Sequence, residues 1–242
     1  MISRLLGTIT RVKVDQPLAA LTFDDGPHPD YTPRLLEVLA RYGAKATFFM
    51  VGEAAKSQSD LVRQVAEAGH AIGNHSWSHV SFPTVSKQER RVQVQRCAAE
   101  LAPFEQRFFR PPHGHQTLST RFDLWRLGYQ VVTWNIAPQD WLDVPAEELV
   151  SRVMARLKPG SIVLFHDNLI NYEDEKYVDR EATLVAVDNL LSQLSDHYQF
   201  VTLPTLFEAG EPVRTNWLMT GDRAWLERLG QPTTLVDEAG TF

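Results

Sequence analysis

Apolar runs alternate with amphipathic stretches along most of this chain, and that alternation restricts the fold more than any other sequence feature. Apolar segments at residues 18–23, 46–51, 70–73, 161–165 and 198–203 read as strands, with extended or β-rich segments at 106–110 and 129–134. Between them, residues 33–42, 61–68, 87–101, 118–127, 145–157 and 181–194 read as helices. The first has Leu35, Leu36, Val38 and Leu39 on one side, behind a Thr32 cap and a first-turn Pro33. Gly43, Gly69 and Gly128 stand where helices end, and Pro159-Gly160 gives a further stop. Strands separated by helices pair in parallel. About seven such units fit, which favours a closed barrel over an open sheet. From Gly210 onward the pattern weakens, with one more helix expected at 222–229.

Composition narrows the function. With 43% apolar and 22% charged residues the chain is ordinary for a globular protein, and 242 residues suit one large α/β domain. A net charge of −6 without any Lys/Arg-rich run argues against nucleic acid. The single cysteine, Cys97, precludes an internal disulfide and reads as a helix-face thiol. No apolar run is long enough for a membrane span. Residues 1–16 contain Leu5-Leu6 but no apolar core of a signal peptide, which by sequence alone suggests a cytoplasmic protein.

The unusual polar clusters follow strands, and in a parallel barrel the strand C-termini converge on one face. Asp24 and Asp25 are followed by Gly26-Pro27, a bend that lets both carboxylates face the mouth. In His75-Ser76-Trp77-Ser78-His79 the two imidazoles are spaced i, i+4, as on one side of a helical turn, and could grip one metal. A carboxylate from the Asp-Asp turn would complete a three-ligand set with an open position for water. Arg110-Pro111-Pro112-His113-Gly114 is a stiff loop: Arg110 could pair with Asp24, and the His113 N–H suits an oxyanion donor. Leu164 and His166 share a strand face, one apolar and one able to give a proton. Asp140 is a candidate to orient His166, Trp141 offers an aromatic wall, and Trp134 reads as a core residue.

These five segments, in this order, resemble the polysaccharide deacetylase family, also called carbohydrate esterase family 4, the homology domain of nodulation-type chitooligosaccharide deacetylases. The match runs from about Ala19 to Leu206. The resemblance implies a single-domain distorted (β/α) barrel with seven or eight parallel strands and its active site at their C-terminal face. It implies a catalytic domain over residues 1–209 and an extension over 210–242 packed on or beside the barrel. It implies a divalent metal, usually Zn2+ with Co2+ or Ni2+ able to substitute, held by Asp25, His75 and His79. Asp24 then looks like the general base, Arg110 its partner, His166 the general acid and Asp140 its tuner; His113, Trp141 and Leu164 look like substrate-contacting residues. The substrate would be an acetylated oligo- or polysaccharide, N-acetylated in the first instance, and the family often works on exported or cell-wall glycans. An O-acetyl esterase, an amidase for a small non-sugar amide and a non-catalytic glycan-binding domain stay open, as does the oligomeric state. Two positions depart from the family pattern: His113, where many members carry Tyr, and Ala137, where many carry Asp.

Overall fold

The computed structural model describes residues 6–236; the last residues of the expected extension, 237–242, lie outside the described residues. The frame is a curled parallel sheet with helices around it. Its strands are β2 (Leu18–Asp24), β3 (Ala46–Met50), β4 (Ala71–Asn74), β5 (Glu105–Phe109), β6 (Gln130–Val131) and β7 (Ile162–His166), in the order β6-β5-β4-β3-β2-β7. β8 (Gln199–Phe200) pairs with the start of β2. All of these ladders are parallel, as alternation of strands with helices dictates. The helices between them are α1 (Tyr31–Arg41), α2 (Gly52–Ser57), α3 (Ser59–Glu67), α4 (Lys87–Leu101), α5 (Leu118–Arg126), α6 (Ala146–Met154) and α7 (Glu181–Leu194), with α8 (Leu203–Ala209) after β8.

The curl closes through irregular chain. Beyond β6 the backbone leaves the ladder and reaches β7, where Leu164 donates to the Ile136 carbonyl at 2.9 Å. This is why only two residues of the expected strand 129–134 form a regular ladder. A strand that the alternation did not announce, β1 (Thr8–Lys13), lies across the same gap. It takes the Thr133 N–H on Ile9 at 2.9 Å and gives the Val12 N–H to Gly160 at 2.8 Å. Gly160 sits at φ +81, and a Cβ there would lie 1.8 Å from the Val12 oxygen, so this approach requires glycine. β1 also pairs antiparallel with β9 (Glu211–Thr215).

Side chains alternate across the sheet and make two cores. Outward-facing Leu21, Phe23, Phe48, Val163 and Phe165 pack under the helices. Inward-facing Ala20, Phe49, Phe108, Ile162 and Val132 fill the curl with Ile9 and Leu203. Cys97, on α4, is fully buried in the outer core with its thiol 3.4 Å from the Met50 carbonyl. α1 begins at Tyr31, so Thr32 lies inside its first turn rather than capping it. Its hydroxyl instead accepts the His28 N–H at 2.7 Å and donates to Asp167. Among the described residues no helix is long and apolar enough to cross a membrane.

His70 illustrates how the base of the barrel constrains protonation. Its Nδ1 accepts the Ala46 N–H at 3.1 Å, which requires a neutral ring, and its edge packs on Phe48. Burial, assisted by Lys45, lowers its pKa from 6.5 to about 4. The unfolded chain therefore takes up a proton below pH 6.5 that the folded chain refuses until about pH 4, so stability present above 6.5 is lost as pH falls through that window. Melting temperatures measured from pH 7 to 4 should fall, and fall less steeply in His70→Asn, whose amide oxygen can replace Nδ1.

Candidate active site

Thr22 and Asp24 stand two apart on the inner face of β2. The residue that joins them is Arg110, which follows β5 and is 0% exposed. One of its terminal nitrogens donates to Asp24 Oδ1 at 2.7 Å and to Thr22 Oγ1 at 2.8 Å; the other donates to the Thr133 carbonyl at 2.9 Å. Its plane lies 4.1 Å over the Phe49 ring. Burial works against the Arg110 charge and Asp24 supports it.

Asp25 leaves the strand in the left-handed region, at φ +74, so its carboxylate turns into the mouth beside that of Asp24. Oδ2 accepts the Ile170 N–H at 2.9 Å, whereas Oδ1 is buried and has no hydrogen-bond partner among the described residues. Burial raises its pKa, but His79 and His75 outweigh that and hold the carboxyl well below the usual carboxylate range. The turn needs Gly26: a Cβ there would lie 2.3 Å from the buried Asp167 carboxylate.

The two histidines arrive differently from the helical turn expected of them. Residues 75–79 form an irregular loop, with Ser76 at φ +70 and His79 at φ +54. Local side chains win over the helix. Asn74 Oδ1 takes the Ser76 N–H at 3.0 Å, and Ser76 Oγ takes the His79 N–H at 3.1 Å. Gln93 of α4 takes the Trp77 and Ser78 N–H groups at 3.0 and 2.9 Å. His75 Nδ1 donates to the Arg110 carbonyl at 2.7 Å, and His79 Nδ1 donates to Asn171 Oδ1 at 3.0 Å. Both Nε2 lone pairs are thereby free, and they lie 3.4 and 3.1 Å from the orphaned Asp25 oxygen. The ligand atoms of Asp25, His75 and His79 all fall within 4.8 Å of one another. Two imidazoles anchored through Nδ1, and one carboxylate oxygen with no hydrogen-bond partner among the described residues, suit a divalent cation such as zinc.

His166 ends β7 directly beside Asp24 in the β2–β7 register. Its Nδ1 donates to Asp140 Oδ1 at 2.9 Å, and its backbone N–H donates to Asp140 Oδ2 at 2.8 Å. Asp140 is itself held by Thr183 Oγ1 at 3.2 Å and, through its carbonyl, by Arg180 at 2.7 Å. Burial pushes the His166 pKa down; Asp140 pushes it up more strongly, to about 9. Trp141 stands edge-on to His166, with ring centroids 5.6 Å apart, and Leu164 lies one step below on the same strand face.

His113 sits at φ +57 with its ring 4.4 Å from that of His79. No acceptor among the described residues takes its backbone N–H. Burial, then His79 and His115, hold its ring well below pKa 6.5 and therefore neutral. Trp134, expected in the core, is half-buried and lines the cleft, packed on Trp217 and on the Arg110 guanidinium. The cleft over these groups has a volume of about 630 Å³.

All ten residues singled out in the sequence meet at this mouth. Sequence reasoning missed Asn171, Thr183 and Arg180, which lie in or just after a long loop without a recognisable motif. Thr22 could have been found: it precedes Asp24 by two and so shares its face.

A parallel barrel with a two-histidine, one-carboxylate centre at its strand ends, flanked by a further carboxylate and histidine, presents a candidate metal site of the hydrolase type. The polysaccharide deacetylase family model matches residues 11–132. A peptidoglycan-N-acetylglucosamine deacetylase of Bacillus cereus is 36% identical over 197 residues, spanning 79% of this chain and 89% of the relative. A chitooligosaccharide deacetylase of Azorhizobium caulinodans is 35% identical over 67% of this chain and 80% of its own. The crystal structure of a peptidoglycan N-acetylglucosamine deacetylase in complex with a naphthalenyl N-oxidanyl-benzamide superposes with a TM-score of 0.76 at 30% identity, covering 84% of this chain and 94% of the other. The chain belongs to the polysaccharide deacetylase family and is a deacetylating hydrolase.

The Arg110–Asp24 pair gives a stability test. Arg110→Met leaves a buried carboxylate and two carbonyls unpartnered and should cost about 3–5 kcal/mol in denaturant unfolding. Combining it with Asp24→Asn removes both charges and should recover part of the loss; an additive double variant would show that the two groups do not couple.

Proposed function

We propose that this chain removes acetyl groups from N-acetylated sugars with a divalent cation, zinc in the first instance, held by Asp25, His75 and His79. The observation that carries the reading is the placement of a second carboxylate, Asp24, outside the ligand set, and one acid-capable imidazole, His166, side by side against that three-residue centre. The relatives from Bacillus cereus and Azorhizobium caulinodans, named for N-acetylglucosamine and chitooligosaccharide deacetylation, support the substrate class.

When bound, the cation supplies Lewis-acid polarisation of the acetyl carbonyl and lowers the pKa of water. Asp24, held by Arg110 at 2.7 Å, accepts the proton of the attacking water. The His113 N–H, unclaimed by any acceptor among the described residues, faces the developing oxyanion. His166 gives its proton to the departing nitrogen. An amine leaves poorly without one, and Asp140 keeps the imidazole charged in the resting site. Leu164 and Trp141 enclose the acetyl methyl. Water and amide thus become acetate and a free amino sugar.

Asp24→Asn should lower acetate release from N-acetylglucosamine oligomers by at least about a hundredfold while the protein still binds zinc. His75→Ala should lose the metal by elemental analysis. Wild-type turnover in the first variant, or full metal content in the second, overturns the assignment. Acetate released from acetylxylan in preference to N-acetylglucosamine oligomers would replace an N-acetyl by an O-acetyl substrate.

A further inference from the structure

The chain beyond β9 returns to the mouth of the barrel. Met219 and Gln116 exchange backbone hydrogen bonds at 2.7 and 3.1 Å, and Trp217 Nε1 donates to the Gly114 carbonyl at 3.1 Å. A last helix, α9 (Arg223–Arg228), is capped by Asp222, and past it Gln231 accepts the Ser81 N–H at 3.2 Å. These anchors fix the segment to the loops after β4 and β5, which carry His75, His79 and His113.

The segment turns an apolar face to the cleft through Met219, Trp225 and Leu229. Trp225 stands perpendicular to the His113 ring at 4.9 Å and near-perpendicular to His115 at 5.6 Å. Gly221 makes this close seat possible, since a Cβ there would lie 2.6 Å from His115. One ring, His113, separates Trp225 from His79. Across the mouth, Trp141 stands beside His166. The Asp25–His75–His79 centre therefore has a tryptophan on each side. At the outer end, Arg228 of α9 pairs with Glu173 of the loop after β7 at 3.2 Å, and Glu173 also lines the cleft. This solvent-exposed pair bridges the segment and the loop after β7 at that end.

We propose that residues 216–231 form a cap that closes one end of the cleft and restricts the chain to short oligosaccharides or chain ends, with Trp225 receiving the sugar unit next to the one that is deacetylated. The proposal rests on the deacetylase reading above. A flat aromatic face suits the apolar face of a pyranose ring, and its loss removes contact area without touching Asp24, His166 or the three metal-site residues.

The test measures binding and reaction separately on the full, zinc-loaded chain. Calorimetric titration with the tetramer of N-acetylglucosamine should show Kd about tenfold weaker in Trp225→Ala and largely restored in Trp225→Phe, which keeps an aromatic face and the cap's packing. In steady-state kinetics the loss should appear in KM more than in kcat. Mass spectrometry of a treated hexamer should show deacetylation confined to units at one end of the chain, and Arg228→Ala, which opens the joint with Glu173, should extend the reaction to units further in. An unchanged Kd in Trp225→Ala, or wild-type removal of internal acetyl groups from the hexamer, overturns the cap. Trp225-dependent binding of the tetramer with no acetate released overturns the deacetylase reading while leaving the cap in place.

Discussion

Arg110 carries a charge that water does not reach, and the guanidinium is tolerable there only because every neighbour accepts from it. Asp24 balances the charge, while Thr22 and the carbonyls of Val132 and Thr133 take three more of its N–H groups. That single side chain ties β2 to the irregular backbone beyond β6, the place where the curled sheet closes. Its own carbonyl orients His75. Closure of the barrel, the buried ion pair with Asp24 and the orientation of His75 therefore all run through one residue. Lysine could not reproduce this, because it lacks the planar fork that reaches two partners on one side and a carbonyl on the other.

The remaining polarity of the mouth follows a similar logic of assigned lone pairs. Each imidazole has one nitrogen consumed by the protein: His75 on the Arg110 carbonyl, His79 on Asn171, His166 on Asp140. The nitrogen left over is then fixed in chemistry as well as position. For His75 and His79 it is a bare lone pair beside the unpartnered Asp25 oxygen. For His166 the partner is a carboxylate, and the ring is driven toward its charged form rather than away from it. Three histidines of the same type thus differ in role because their second contacts are a carbonyl, an amide and a carboxylate.

Much of this was legible in the sequence, and the failures have physical reasons. Helices 87–101 and 181–194 came out with their observed bounds: the second buries Leu184, Val187, Leu190 and Leu191 along one face, and the first, mostly polar, starts behind a Ser86 cap. β1 escaped because Thr8–Lys13 has only Ile9 and Val12 as apolar residues, three apart, and its pairing with β9 is itself irregular between Ile9 and Arg11. Residues 75–79 were expected on a helical turn from spacing alone. Hydrogen bonds from Asn74, Ser76 and Gln93 override that spacing and bring the two imidazoles together by a left-handed kink instead. The residues carrying chemistry were visible because their types are costly to bury without purpose. Their supports were not, because Asn, Thr and Arg in a loop look the same whether or not a histidine rests on them.

The loop after β7 shows why those supports matter to one another. Within a dozen residues it supplies the Ile170 N–H to Asp25, the Asn171 oxygen to His79 and, at its far end, Arg180 to the Asp140 backbone. It therefore touches both sides of the proposed reaction: the metal-site residues on one side and the partner of the proposed acid on the other. Glu173, between these contacts, meets Arg228 of the last helix. A change in the outer contact is transmitted along a short stretch of backbone that has little freedom, since three of its groups are already committed to buried partners. The proposed selection at the rim and the proposed alignment at the centre thus rest on contacts of one loop.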